Sequence, residues 1–393
     1  MVAVLINSLA GGGAEKVVLT LTKEFVAAGI PVQLILVERE QFYELPKGVK
    51  VHYLTEVEKI DGSVKKLFSV YECAQKLKRI VKEENIQWVQ SHLIRSNYIN
   101  VLSQKLGSTH KSQIVNHMLV SFDKKRGYLG KGNLKLYKLL YNKADMIVSI
   151  SKVMKRDLDT FFQLKNTDRH VVIYNPHDID TIQHRTKEEP QSFDFDPNKR
   201  YIISVGRLVG RKRVDQLIEA YAKVRPDFPN TEVIVLGNGE EMENYQQVAN
   251  RLSVQDGVHF LGHISNPFAF LSRADVFVLA SEDEGLPNII IESLICGTPV
   301  ISSDCISGPR ETLSPQSDIA IQLTDSMEKA EYGILFPVGH VDLLAESLRT
   351  MLNDQELRTS YIQKGYKRAE DFRASKVAQT YISSFELSVE EPI

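Results

Sequence analysis

The chain has 393 residues, 43% hydrophobic and 25% charged, a composition that fits a folded globular protein and excludes a disordered or fibrous one. That length suggests two domains, each large enough for its own core. The three cysteines, Cys73, Cys296 and Cys305, are odd in number and far apart, which excludes a disulfide framework or a zinc spacing and fits a reducing cytosol.

The net charge of −2 is unevenly spread, with 29 Lys and Arg against 22 Asp and Glu in residues 1–196 and an acidic excess beyond. The basic first half points to an anionic partner. No apolar run reaches the roughly 18 residues of a membrane-spanning helix, and the opening run Met1–Asn7 reads as a first strand, not a leader.

In chain order, Val2–Asn7 reads as a strand, Gly11–Gly13 as a loop and Ala14–Ala28 as a helix. Strands follow at Pro31–Val37, Gln87–Gln90, Gln113–Asn116 and Met146–Ile150, with helical segments between them. The polar stretch from Pro176 to Lys199 reads as a linker, with the interdomain segment set at 179–199. The second half opens with a strand at Tyr201–Val205 and a helix at Val214–Val224. Strands at Thr231–Leu236, Val258–Leu261, Val276–Ala280 and Val300–Ser303 continue it, and Ser375–Leu387 is a final helix. Apolar strands alternating with helices predict an α/β protein of two Rossmann-like, doubly wound parallel-sheet domains. The expected domains are 1–178, joined by the C-terminal segment 375–393, and 200–374.

Chemistry concentrates at the carboxyl ends of these strands, where open α/β sheets bind ligands. Gly11-Gly12-Gly13 opens a helix directly after the first strand, either as a close-approach loop for an anion or as a simple tight turn. Neither this loop nor Gly237-Asn238-Gly239 has the third glycine of a dinucleotide fingerprint, which disfavours a dehydrogenase. Gly206-Arg207-Leu208-Val209-Gly210-Arg211-Lys212-Arg213 follows another strand, and its cations are either a phosphate clamp or a solvated basic loop.

Glu284 and Glu292 frame the start of a helix with Pro287 at its beginning and Gly297 past its end. Glu284 falls in the loop after a strand and Glu292 about a turn and a half into the helix. They read as ligand-binding carboxylates, as an acid/base pair, or as surface acids favouring the helix dipole. His117, His92 and His263 each follow a strand, and His117 is the first candidate of the three. The triplets Asp157-Leu-Asp159, Asp178-Ile-Asp180 and Asp194-Phe-Asp196 lie away from strand ends and read as structural or solvated. Two basic stretches, Lys65–Lys82 and Lys124–Lys143, mix cations with apolar residues, as a surface lying on an anionic membrane does. No nucleic-acid recognition motif occurs.

Taken together, these positions resemble the GT-B glycosyltransferases of family 4, retaining enzymes that use sugar nucleotides. The resemblance covers nearly the whole chain and is strongest over residues 201–313. The family's Glu-x7-Glu signature matches Glu284 and Glu292, its Gly-Arg-Leu…Lys element matches Gly206, Arg207, Leu208 and Lys212, and its first glycine loop matches Gly11–Gly13. The segment Ser303–Glu311 is similar to members that build bacterial surface polysaccharides, O-antigens or lipid-linked oligosaccharides.

The resemblance implies two domains facing a cleft, with a C-terminal helix crossing back to the first. It implies that Arg207 and Lys212 hold the donor diphosphate, that Glu292 binds ribose, and that Glu284 with the amides of Gly285 and Leu286 positions the sugar. Gly12 and Gly13 would lie against the donor, His117 would face the reacting sugar, and Asn238, Gly239 and His263 would form the base-side wall. Asn288, which departs mildly from the strict pattern, completes the set. It further implies a UDP-sugar donor, a lipid-linked or membrane-associated glycan acceptor, no required metal or other cofactor, and a cytoplasmic, membrane-peripheral location. A non-catalytic nucleotide-sugar-binding partner is the competing reading.

Overall fold

The computed structural model describes residues 1–60, 62–121, 137–162, 167–190 and 192–387. The chain divides into two compact units, the first comprising Met1–His177 with Ala374–Ile393 and the second Asp178–Arg373.

The first unit is built on a sheet of seven strands: β1 Val2–Ile6, β2 Val32–Leu36, β3 Lys50–Tyr53, β4 Trp88–His92, β5 Lys111–Asn116, β6 Met146–Ser149 and β7 His170–Val172. Their order is β3-β2-β1-β4-β5-β6-β7, and every pairing is parallel. Every residue of Val2–Ile6 is buried, as expected of a central strand covered on both faces. Helix Gly13–Ala27 buries Val17, Val18, Leu21 and Phe25 along one stripe. The C-terminal helix Ala374–Leu387 packs beside it. Phe385 meets Phe25 at 6.0 Å and Trp88 at 5.3 Å between ring centroids, and Gln113 donates to Ser384 Oγ at 2.9 Å. The predicted return of this helix to the first domain is therefore present.

The second unit repeats the plan with β8 Arg200–Val205, β9 Thr231–Leu236, β10 Val258–Gly262, β11 Val276–Leu279, β12 Val300–Ser303, β13 Glu328–Lys329 and β14 Ile334–Phe336. Their order is β10-β9-β8-β11-β12-β14-β13, all parallel except the antiparallel edge pair β13–β14. In each sheet the winding reverses once, between β1 and β4 and between β8 and β11. Those reversals are the points where such sheets take ligands.

The strands expected from sequence lie within two residues of their observed bounds. Strands β3, β7, β13 and β14, of two to four residues, were not expected. The segment 179–199 is not a free linker. It carries helix Ile179–Arg185, capped by the Asp178 carboxylate at 3.1 Å from Thr181 N. Arg185 donates to Ser265 O at 2.7 Å, and Phe193 and Phe195 pack against Tyr201 and Phe270. Aromatic anchors held this polar stretch to the second unit, and composition alone does not reveal such anchoring.

Candidate active site

At the switch point of the second unit, the loops after β8 and β11 meet. The first contains the 3-10 turn Gly210–Lys212, then Arg213 in a left-handed conformation at the start of helix Val214–Val224. The second runs from Ala280 to Pro287, which caps helix Asn288–Cys296; Gly297, at φ +76°, ends that helix. Lys212 Nζ lies 2.5 Å from Glu284 Oε1, Arg211 lies 2.9 Å from Asp283, and Arg213 lies 2.7 Å from Glu282. Three consecutive cations thus face three consecutive carboxylates. Backbone joins the same loops, with Glu282 N donating to Arg211 O at 2.8 Å.

Within this ladder the inner pair is the sheltered one. Lys212 and Glu284 side chains are 17% and 9% exposed, whereas Arg211 is 53% exposed. Ser281 Oγ donates to the same Glu284 oxygen at 2.7 Å, so the carboxylate is fixed from two sides. An oriented buried carboxylate beside an ammonium can bind a neutral polyol with one group and an anion with the other. Ser281, Glu282 and Asp283 were missed as site residues. The signal for the two acids was the triplet Glu282-Asp283-Glu284, which matches the basic triplet Arg211–Arg213 in length; Ser281 carried no such signal.

Arg207 is set apart from this pair. Its side chain is 76% exposed, with Glu240 as a loose neighbour at 3.7 Å. It belongs to a second layer of loops, in which Leu208 N donates to Asn238 O at 2.9 Å and Gly237 N to Gly262 O at 2.7 Å. Asn238 and His263 are exposed on these loops. Gly239 has a structural reason to be glycine, since a Cβ there would stand 2.0 Å from Leu208 O. Gly239→Ala is therefore expected to push the Arg207–Leu208 backbone away. We expect it to lower the melting temperature of the second unit and weaken the retention of an anionic ligand, read by calorimetry with a nucleotide diphosphate. Leu286 and Glu292 are buried, and Gly285 and Asn288 are half-buried around the helix start.

In the first unit, Gly11 adopts φ +97°, and Gly12 caps helix Gly13–Ala27. The Glu15 carboxylate folds back onto this turn, hydrogen-bonded to the Gly12 backbone; burial, the largest influence, raises its pKa. A Cβ on Gly12 would lie 2.4 Å from Glu15 Oε2. The helix N-terminus thus attracts a carboxylate, which shows its anion preference. Beyond the switch point, His92 ends β4 and His117 follows β5. His92 Nδ1 and His117 Nε2 are 2.9 Å apart.

Burial holds these rings neutral. His92 is pushed well below the usual histidine range by burial and then by His117, while burial brings His117 and the deeper His110 down to about 4. The unfolded chain takes up these protons near 6.5, whereas the folded chain protonates His117 and His110 only near 4. The stability contribution is therefore intact above pH 6.5 and is lost as pH falls toward 4. Thermal melts by circular dichroism are expected to show a falling midpoint from pH 7 to 4.5, and replacing His110 with glutamine should flatten that fall.

Two family models match this chain. The model for glycosyl transferases group 1 matches residues 185–368, and that for Glycosyltransferase Family 4 matches residues 11–181. An uncharacterized glycosyltransferase of Methanocaldococcus jannaschii is 33% identical over 65% of this chain and 67% of its own. The chain belongs to glycosyltransferase family 4.

A Campylobacter jejuni relative of this glycosyltransferase, N-acetylgalactosamine-N,N'-diacetylbacillosaminyl-diphospho-undecaprenol 4-alpha-N-acetylgalactosaminyltransferase, is 29% identical over 96% of both chains. Among solved structures, Anabaena HepE in complex with UDP superposes with a TM-score of 0.76 at 17% identity, covering 98% of this chain and 99% of that one. Sucrose-phosphate synthase from Thermosynechococcus elongatus does so at 0.78 and 16%, covering 98% of each. These likenesses identify the fold of this glycosyltransferase as GT-B.

The remaining sequence candidates have structural occupations in the glycosyltransferase. Asp159 pairs with Lys155 at 2.6 Å and His170 at 2.7 Å, and Asp157 accepts from Ser121 N at 3.1 Å. Asp180 pairs with Arg373 at 2.9 Å, and Asp196 accepts from Asn198 N. Of the basic stretch Lys124–Lys143, residues 124–136 lie outside the described residues. In the remainder Tyr137, Leu140 and Tyr141 are core residues, with Tyr137 and Tyr141 packed on Phe162. A membrane-facing role for those three is thereby corrected to a packing role. Among the described residues no helix is long and apolar enough to cross a membrane.

Proposed function

We propose that this glycosyltransferase moves a sugar, with retention of anomeric configuration, from a nucleotide-diphosphate sugar to a lipid-linked or membrane-associated glycan in cell-surface polysaccharide synthesis. UDP is the proposed nucleotide. The observation that carries the reading is the sheltered Lys212–Glu284 pair at the β8/β11 switch point. Lys212 and Arg207 bind the diphosphate and stabilise charge on the leaving group, in place of a metal. Glu284, with the amides of Gly285 and Leu286, receives the sugar hydroxyls, and Glu292 receives the ribose. Asn238, Gly239 and His263 flank the base. Gly12 and Gly13 bind the donor's anionic part, and His117 meets the reacting sugar.

The Campylobacter jejuni relative's name specifies a diphospho-undecaprenol acceptor, and a further relative in Rhizobium meliloti is a lipopolysaccharide core biosynthesis glycosyltransferase, 32% identical over 42% of this chain. Both support a glycan acceptor anchored in a membrane. Phe68 and Tyr71, exposed on helix Ser63–Glu83 together with Lys65, support contact with an anionic membrane face. Transfer proceeds on the front face of the sugar, with the departing phosphate taking the acceptor proton. Trapping a covalent glycosyl-enzyme would refute that course.

A thermal-shift screen against nucleotide sugars tests the donor, because a ligand that binds only the folded state raises its stability. A UDP-sugar is expected to raise the midpoint and to be consumed when a lipid-diphosphate glycan is added. Absence of any shift across the panel, or a donor shift without transfer to any acceptor extract, would overturn the reading; the second result would favour a non-catalytic binding partner.

A further inference from the structure

The structure holds His92 and His117 as a pair that shares one proton. Their nitrogens are 2.9 Å apart, and their rings are tilted by 36° with centroids at 5.2 Å. His92 is fully buried, and its Nε2 has no hydrogen-bond partner. His117 is half-buried, and among the described residues its Nδ1 has no partner.

Two arrangements of the shared proton are possible. In one, His117 donates from Nε2, and His92 must then carry its own proton on Nε2, a buried N–H without an acceptor. In the other, His92 donates from Nδ1 and its Nε2 keeps a bare lone pair. Orphaned buried N–H groups are rarer in folded proteins than unfilled acceptors. The second arrangement follows, and it places the single proton of neutral His117 on Nδ1.

We propose that His92 is a positioning residue that locks His117 into its Nδ1–H tautomer, so that His117 meets a substrate oxygen as a hydrogen-bond donor and not as a base. The identity of that substrate rests on the glycosyltransferase reading above; the tautomer does not. A third ring proton on the pair would either set two N–H groups against each other across 2.9 Å or move the His92 proton to its buried, unpartnered Nε2, so the arrangement resists charging.

The backbone supports the lock. His92 is the last residue of β4, and Leu93 directly after it adopts φ 69° and ψ 154°, a region that L-residues rarely occupy. Such a conformation persists only where its surroundings over-determine it. Here β4 on one side and helix Ile94–Lys105 on the other fix it, and with it the place of the His92 ring.

The test begins with the free, full-length protein labelled with 15N-histidine. Two-bond proton–nitrogen correlation spectra at pH 7, assigned with single-site variants, are expected to show both rings neutral with the proton on Nδ1. A proton on Nε2 of His117, or an imidazolium there, would overturn the proposal. Two variants then test the consequence. His92→Phe keeps a ring but removes the donor, so His117 should lose its single tautomer. Its kcat should fall about tenfold, the effect of one weakened hydrogen bond, with donor KM unchanged. His92→Asn restores an N–H near Nδ1 and should recover most of the rate. Equal kcat in His92→Phe and wild type would refute the positioning role. If wild type transfers no sugar from any donor, the functional reading fails, while the spectra of the free protein still decide the tautomer.

Discussion

Glu284→Ala is expected to leave the second unit folded and to slow sugar transfer by about 100- to 1,000-fold, the range seen when a preorganised electrostatic contact is removed. The loop after β11 carries Glu284 to the switch point, where Ser281 at 2.7 Å and Lys212 at 2.5 Å fix one carboxylate oxygen. In the proposed role the carboxylate orders the sugar, so its loss falls on kcat/KM. Removing it also leaves the Lys212 ammonium, only 17% exposed, without its partner. Glu284→Gln separates the two effects, because it keeps an acceptor of the same shape while removing the charge. Lys212→Ala should raise donor KM as well as lower kcat, because its proposed role is both to hold the diphosphate and to stabilise charge on the leaving group. Initial rates over a range of donor concentrations, beside melting curves that report folding, would measure this. Near-wild-type turnover in both alanine variants is the result that would sink the assignment of the pair.

Asp304→Ala is expected to be the more damaging change for stability, lowering the folding free energy by about 3–5 kcal/mol. Asp304 follows β12 and is 2% exposed. Its carboxylate accepts from Arg310 Nε at 3.0 Å, Arg310 Nη2 at 2.7 Å and Leu323 N at 2.9 Å. Arg310, 6% exposed, would keep only Glu328 at 3.0 Å and Ser317 at 3.2 Å. A buried guanidinium missing half its partners costs far more than a broken surface pair. The exposed Arg349–Asp227 pair at 2.8 Å is the control, and Asp227→Ala should cost no more than about 1 kcal/mol. The melting midpoint of the Asp304 variant should fall by roughly 10 °C. Activity should fall as well, because the loop that Asp304 anchors runs to Gly308, where an added Cβ would stand 2.6 Å from Gly285 O. The loop after β12 thus buttresses the loop that presents Glu284. A midpoint within a degree of wild type would show that the buried pair contributes little.

The sequence carried the fold well because its central strands are uninterrupted apolar runs such as Tyr201–Val205 and Thr231–Leu236, and its helices are marked by Pro287 and Gly297. It failed where the signal was short or nonlocal. Strand β7 has three residues, and the segment after Asp178 is held to the second unit by aromatic packing of Phe193 and Phe195. Several candidate residues were legible because they sit just past a strand, as His117 does after β5 and Glu284 after β11, while Glu292 was read from its place in helix Asn288–Cys296. Strand order could not be read, because it is set by pairing between segments far apart in the chain.

By itself, then, the sequence determined the element types, the two-domain α/β class and the residues at strand ends, all of which depend on neighbours along the chain. Only the tertiary structure decided which strand ends meet. It joined Lys212 to Glu284 across 72 positions, matched Arg211 and Arg213 to Asp283 and Glu282, and set His92 against His117 across 25. Those pairings arise from sheet order and loop packing within each unit, and they give residues far apart in the chain fixed partners.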